Sequence, residues 1–489
     1  MPRERIAIVG AGIAGLTAAA VLASRADVTV YERDEQPGGK LRQVKWGNRS
    51  IDCGPTVFTL KPVFEEIFAM CGERLEDHVR LSPLNVLARH AWPDGSMLDL
   101  YADKSQNVDA IAEFAGPREA DAYLDFLKMA ERTWTTLYWP FVRQTRASFP
   151  GLMLKTPVTD LIRLNPYITL WGELSKRFKD ERLRQLFGRY TTYCGSSPFQ
   201  APGTLSLIAH IEQEGVWSID GGMRALAEAL ERIASKRGVR FEYGADIEEI
   251  RTEGGRVNGI VGPAEANESP IVLFNGDADA LARGKLNECG VNGHKPRPVR
   301  KRTQSAVTLC FLGEADGFEP AMHNVFFSSD YRAEFDRVLT DERIPDEPTI
   351  YVFAPDYASR QQKSQRFFCL MNAPAHGDTK TYSEEEQRQC QSKILSHVKM
   401  CGLTLTPEPE TMVTTTPTEF AQRFPATGGA LFGKPIHGWR ASFLRPGIKT
   451  RTRGLYRAGG SVHPGSGVPM AALSGLMAAQ TIMKDYGLT

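Results

Sequence analysis

An α/β fold, in which a nucleotide-binding domain is interrupted and completed further along the chain, is predicted by three stretches. Residues 6–32 run from an apolar strand (IAIVG) through a glycine turn (GAGIAGL) and an alanine-rich helix to a second strand, DVTVYE, that ends in an acid. Strands and small-residue helices of the same kind return around residues 239–279 and 454–483. Strands alternating with helices are the pattern of a parallel sheet with crossover helices. At 489 residues the chain is too long for one simple core, so two domains or a split arrangement is expected.

In the first stretch each glycine has its own task. Gly10 allows the tight turn out of the strand, Gly12 lets a pyrophosphate approach the backbone, and Gly15 lets the helix pack closely on the sheet. The helix N-terminus, with its orphan N–H groups and positive dipole end, favours an anion. Glu32 stands where a carboxylate accepts both hydroxyls of an adenosine ribose and repels a 2′-phosphate, which disfavours NADP. Glycines alone also end strands for structural reasons; the strand before, the helix after and the acid at this distance together predict a Rossmann-like site.

Bulk properties narrow the partners. Lys plus Arg total 59 against 58 Asp plus Glu, a formal charge of +1. No large positive field is available for a nucleic acid, and none is expected as a partner. The eight cysteines (Cys53, Cys71, Cys194, Cys289, Cys310, Cys369, Cys390 and Cys401) form no CxxC pair, which argues against a metal site or a disulfide framework and for a reducing compartment. Arg3 and Arg5 before an apolar run resemble a secretory signal, but the glycine spacing explains the same residues better. No apolar run is long enough to span a bilayer. The NES triplet at Asn267–Ser269 carries no meaning as a glycosylation site without a secretory signal.

Two further glycine turns follow the first. PGGK, with Gly38, Gly39 and Lys40, brings backbone and an ammonium towards something, although an ordinary loop with a solvated lysine reads the same. A hairpin around Asn48 then ends at Asp52 and in Gly54, Pro55 and Thr56, again suited to close backbone approach. Turns so near the fingerprint imply a cofactor longer than the fingerprint alone needs, and FAD is that cofactor. From about Lys61 to Arg132 the pattern is helical. The run from Trp134 to Trp171 is rich in aromatic and aliphatic residues interspersed with or followed by Lys155, Arg163, Lys176, Arg177 and Lys179. It reads either as an amphipathic surface for the bilayer interface or as the core of a helical domain.

The α/β pattern resumes with a helix from Met223 to about Ser235. VRFEYGADIEEI, RVNGIV and IVLFNG read as further strands of the nucleotide domain. Ile247 is placed either against an adenine ring or in the core. Apolar runs SAVTLCFLG, TIYVFAPD and FFCLMNAP predict a second sheet. His210, His323, His376 and His437 are isolated and suggest no catalytic cluster. Near the C-terminus a strand over residues 455–458 leads into Gly459, Gly460 and Ser461, and a helix begins near Val468 with Pro469 in its first turn. Such a helix N-terminus suits the pyrimidine edge of a flavin, where reduction places negative charge.

With PGGK, DCGPTV, GVWSIDGGM and above all GGSVHPGSGVPMAALSG, the chain resembles the FAD-dependent carotenoid desaturases of the phytoene desaturase type, within the amine oxidase-like flavoproteins. LFGRYTTYCGSSPFQAPGTLSLI is most similar to those that desaturate 1-hydroxylated acyclic carotenoids, such as hydroxy- or methoxyneurosporene, at the 3,4 position. The resemblance implies that Gly10, Gly12, Gly15 and Glu32 bind the ADP half of FAD, with Gly38, Gly39 and Lys40 near its phosphates or ribityl chain, Gly54, Pro55 and Thr56 alongside, and Ile247 at the adenine. Gly459, Gly460, Ser461, Gly467, Val468, Pro469 and Met470 would follow the riboflavin half. His463 is the one titratable residue of that motif, and it either accepts a proton or orients the loop. No motif matches the lysine over the flavin of true amine oxidases, which weakens an amine substrate.

The implied reaction removes two hydrogens from an allylic C–C bond, with oxygen or a quinone as final acceptor. The implied organisation is an FAD-binding domain in three parts (1–105, 211–295 and 436–489), a helical and membrane-facing insertion (106–210) and a mixed-sheet substrate domain (296–435). A polyene substrate implies a cytoplasmic protein peripherally attached to the membrane. A redox-neutral carotenoid isomerase, a phytoene desaturase and a non-enzymatic lipid-carrying escort on the same scaffold are the alternatives.

Overall fold

In the computed structural model, which describes residues 3–262, 266–282, 286, 302–357 and 364–488, the three predicted stretches meet in one sheet. Five strands lie in the order Leu455–Arg457, Ile271–Phe274, Arg5–Val9, Asp27–Glu32 and Arg240–Tyr243, and every neighbouring pair is parallel. A parallel sheet is covered on both faces, which explains why its central strand Arg5–Val9 and its neighbour Ile271–Phe274 are largely apolar and buried, while the edge strand Arg240–Tyr243 is not. The helix Ile13–Leu22 is buried all round, as a helix without a polar face must be. It is held against the sheet and the C-terminal helix Val468–Tyr486. A Cβ on Gly475 of that helix would stand 2.1 Å from the Ala14 carbonyl oxygen, so only glycine permits this approach.

Of the segments expected among the strands of the nucleotide domain, RVNGIV and the end of VRFEYGADIEEI lie outside this sheet. Glu249–Glu253, Arg256–Val261 and Ala266–Glu268 form their own three-stranded antiparallel sheet. Gly254 and Gly255, both with positive φ, reverse the chain at once and pair the first two strands with each other.

The second sheet is mixed. Its strands run Leu403–Pro407, Ser305–Gly317, Gln365–Ala373, Ile350–Phe353, His323–Phe326, Val86–Ala91 and Met97–Tyr101, with Val413–Thr415 also on Ser305–Gly317. The three predicted runs thus supply adjacent strands. The last two strands in that order correct the helical reading of residues 61–132 and move the end of the first FAD segment ahead of Val86 rather than to residue 105. There the chain alternates in strand fashion around a turn at Pro93, Asp94 and Gly95, with Trp92 N–H bonded to Ser96 O at 3.1 Å, and Arg89 and Asp99 pair across the hairpin at 2.7 Å. Helices do occupy Lys61–Met70, Lys104–Ala115 and Pro117–Leu137. Seven cysteines are free thiols; Cys289 and the 295/296 boundary lie outside the described residues.

Candidate functional site

The two domains and the helical region enclose one continuous cavity of about 1400 Å³. Single small ligands occupy roughly 300–1,000 Å³, so this space suits a cofactor and a second molecule together.

Its nucleotide end is assembled from glycine turns. Gly10, at φ +103°, turns the chain, and a Cβ on Gly15 would lie 2.2 Å from the Gly10 carbonyl oxygen. Gly15 does not face the cavity; this corrects its place among cofactor contacts and leaves it the close helix–strand packing. Gly12 opens its helix with no side-chain cap, and Gly12, Ile13 and Ala14 line the cavity. The Gly38 N–H reaches Ala11 O at 2.9 Å, and a Cβ on Gly39 would come within 3.3 Å of Gly12 Cα. Gly38, Gly39, Gly54, Pro55, Thr56 and Ile247 all line the cavity. Ile247 also packs in an apolar cluster with Ile250 and Phe274, which is the core reading, and it lines the cavity at the same time.

Glu32 is buried at the cavity edge and accepts the N–H of Ala11 at 2.6 Å and of Asp34 at 3.0 Å. Burial raises its pKa, against the pull of those two N–H groups. Lys40 Nζ donates to Leu431 O at 2.6 Å and lies over the Phe424 ring. Burial lowers its pKa, with Asp277 opposing. Asn275 gives no local sequence signal beyond ending a strand in Asn-Gly, yet it joins the two halves of the cradle. Its Oδ1 accepts Gly15 N–H at 3.0 Å and its Nδ2 donates to Ala458 O at 3.2 Å.

The C-terminal loop closes the opposite side. Gly459 (φ +122°) and Gly460 line the cavity, as do Ser461, Gly467, Val468, Pro469 and Met470. Arg445 braces the loop through Gly460 O at 2.9 Å and Phe432 O at 3.1 Å. The Ser461 hydroxyl accepts Ala278 N–H at 3.0 Å. The helix Val468–Tyr486 also starts without a side-chain cap. Two uncapped helix N-termini thus open into one cavity, with the buried Glu32 carboxylate on the wall beside the first. These residues fit FAD: pyrophosphate at the first terminus, flavin at the second.

His463 is not on the cavity wall. It is fully buried, its Nε2–H donates to Phe141 O at 2.8 Å, and its ring meets Phe141 edge-on. Burial pushes it down to about 4, so it is neutral at pH 7. The proton-acceptor assignment is corrected accordingly: the ring orients the glycine loop against residues 138–142 and does not reach the reacting space.

Beyond the flavin loop the wall becomes hydrocarbon. Trp134, Leu137, Phe141, Leu152, Leu161 and Ile208 face inward, which satisfies the core reading of the aromatic run in part. The run is bare at the cavity mouth: Ile162 is 72% exposed, and Met153, Val158 and Tyr167, exposed as well, line the cavity with it, while Leu154, 88% exposed, and Trp139 point away from it. The helices here are short, Phe149–Lys155 and Val158–Leu164, and their apolar side chains are shared between the cavity wall and the solvent at its mouth.

One corner of the cavity is polar. Arg189 and Glu212 form a buried ion pair at 3.2 Å, and Glu212 also accepts the hydroxyls of Tyr190 at 3.0 Å and Tyr193 at 3.2 Å. Burial alone would lower the Arg189 guanidinium, but Tyr193, Glu212 and Tyr190 reverse this and hold it above its ordinary value. Across the second sheet Thr308, Leu370, Tyr351 and Val325 stand in direct register, so their side chains share a face, and all four line the cavity. The Tyr351 hydroxyl lies 2.6 Å from Thr56 Oγ1 and 2.7 Å from His323 Nδ1. Burial and the Arg189 charge push His323 down to about 3. Arg189 lies in the stretch LFGRYTTYC and Glu212 in none of the motifs above; only the packing of separate helical segments makes them a pair. Among the described residues no group of three or more His, Cys, Asp or Glu could hold a metal.

The profile of the flavin-containing amine oxidoreductases matches residues 13–483. A hydroxyneurosporene desaturase of Rubrivivax gelatinosus is 43% identical over 99% of this chain and 94% of its own length. A 1-hydroxycarotenoid 3,4-desaturase of a Flavobacterium species is 28% identical over 98% of this chain and 99% of its own length. Among solved structures, the conjugated linoleic acid-producing fatty acid isomerase of P. acnes superposes with a TM-score of 0.61 at 14% identity, covering 99% of this chain and 98% of its own; at that identity the likeness is one of fold.

Proposed function

The chain belongs to the flavin-containing amine oxidoreductase family, and within it we propose a carotenoid desaturase that acts on an acyclic, 1-hydroxylated polyene. The observation that carries this reading is the single cavity in which an FAD cradle opens into a long wall of aliphatic and aromatic side chains. The 43% identity to a hydroxyneurosporene desaturase supports the substrate class.

FAD held by these residues would supply a two-electron acceptor next to the polyene, with oxygen or a quinone as the final oxidant. The chain itself contributes position and dryness. Its apolar wall holds the polyene extended and excludes water from the carbon that loses hydride. The positive charge left behind spreads over the conjugated chain, and loss of a proton from the neighbouring carbon completes the double bond. No strong base is required for that loss, consistent with the absence of His463 from the wall. Expression in a cell that makes hydroxylated neurosporene tests the reading by pigment mass. Loss of two hydrogens is expected; an unchanged mass with a shifted spectrum would point to isomerisation, and unchanged pigment with flavin-free protein to an escort.

The polyene dissolves in bilayer, and the exposed apolar residues Met153, Val158, Ile162 and Tyr167 stand at the mouth of the cavity that they help to line. They support docking of this face, in a cytoplasmic protein, on the membrane surface. No helix among the described residues is long and apolar enough to cross a membrane. The double substitution Leu154→Glu, Ile162→Glu is expected to cut flotation with phosphatidylglycerol-containing vesicles at least tenfold while leaving flavin content intact, since each charge put into the interface costs on the order of 1 kcal/mol or more. Undiminished flotation would exclude this face.

A further inference from the structure

Two buried polar atoms in the cavity corner find no partner among the described residues: the Tyr331 hydroxyl and Arg189 Nε. Both side chains line the cavity, at 3% and 5% exposure. The ring of Tyr331 is fixed edge-on between Phe327 and Phe335, with centroids 5.8 Å and 5.1 Å away, so its hydroxyl cannot swing to another acceptor. Arg189 is held by its terminal nitrogens to Tyr193 and Glu212, which leaves Nε as the donor without a bond. Trp171 joins the two groups in one corner: its ring lies 6.2 Å from that of Tyr331, and it stands 3.6 Å from where a Cβ on Gly188, the residue before Arg189, would lie. A hydrocarbon end placed here would leave both donors dry, at a cost that a well-packed apolar corner would avoid.

We infer that Tyr331 and Arg189 form the subsite for the oxygen-bearing end of the polyene and so determine specificity for it; the inference rests on the desaturase reading above. An alcohol oxygen has two lone pairs and can accept from both groups, and a methyl ether keeps both acceptors. The parent hydrocarbon has none. The corner is also tied to the flavin loop, because Ser466 Oγ donates to Tyr193 O at 3.2 Å and Thr56 meets Tyr351. Oxygen on carbon 1 lies close along the chain to a 3,4 bond, the numbering in the name of the Flavobacterium relative. An anchor for that oxygen therefore has to sit beside the flavin, as this corner does.

The test uses the flavin-loaded enzyme and its Tyr331→Phe variant with three polyenes: the 1-hydroxylated compound, its methyl ether and the parent hydrocarbon. The hydroxyl of Tyr331 bonds to no described residue, so the variant keeps its fold and its flavin. In the wild type kcat/KM should favour both oxygenated substrates over the hydrocarbon. In the variant that preference should shrink about five- to thirty-fold, the worth of one buried hydrogen bond. Dissociation constants, read from the polyene absorption shift without turnover, should move by the same factor. Unchanged ratios in both measurements would mean that water satisfies the corner, and the subsite would be withdrawn while the desaturase reading stands. A wild type that converts the polyenes without preference has the same consequence. One that desaturates none of them overturns both.

Discussion

Replacing Glu32 with alanine is expected to raise the dissociation constant for FAD about a hundredfold. The carboxylate is buried at the end of the second strand, where it meets the cavity beside the first helix N-terminus. A hydrogen bond to a charged group is worth about 1.5–3 kcal/mol, and a ribose offers two hydroxyls to one carboxylate. About 3 kcal/mol of net loss corresponds to about two orders of magnitude in affinity. Glu32 also fixes the N–H groups of Ala11 and Asp34, so its removal loosens the turn that carries the pyrophosphate site. Glu32→Gln keeps an acceptor for the ribose and should lose much less. Flavin titration of the apoprotein measures both variants, and an unchanged affinity in Glu32→Ala would take this residue out of the site.

The legible parts of this site are those whose physics is local. Gly10, Gly12 and Gly15 announce themselves because each backbone demand falls within one turn and no other residue meets it. The C-terminal helix is legible for the same reason: Ala471, Ala472, Ser474 and Gly475 make sense only as a surface for close packing, and Gly475 does meet Ala14. What escaped depends on distant partners. The hairpin of Val86–Ala91 and Met97–Tyr101 reads as part of a helical stretch until its pairing with His323–Phe326 gives its alternation a purpose. His463 sits in the most recognisable motif of the chain, yet the direction of its ring is set by Phe141, far away in sequence. Arg189 and Glu212 are charged residues on separate helical segments, and on a sequence such residues read as solvated.

That last pair supports the second large effect. Glu212→Gln should destabilise the protein by about 3–5 kcal/mol, because it leaves the Arg189 guanidinium buried without its counter-charge. The two side chains are 6% and 5% exposed, so water cannot replace the carboxylate, while the glutamine oxygen can still accept from the Tyr190 hydroxyl and the amide NH2, in place of the second carboxylate oxygen, meets the Tyr193 hydroxyl as a donor. Adding Arg189→Met to Glu212→Gln should recover most of the loss, since an apolar chain of similar length suits the surrounding aromatic rings and removing both charges also removes their desolvation cost. Urea midpoints of the wild type, the single and the double variant, at equal flavin content, give the comparison. A single variant within about 1 kcal/mol of the wild type would mean that the charge is solvated after all. Because a buried ion pair is weak evidence for stability, the double variant also asks why the pair is there. A protein that is stable and flavin-loaded, yet no longer prefers an oxygenated polyene, would show that Arg189 is kept for the substrate and Glu212 to make Arg189 tolerable.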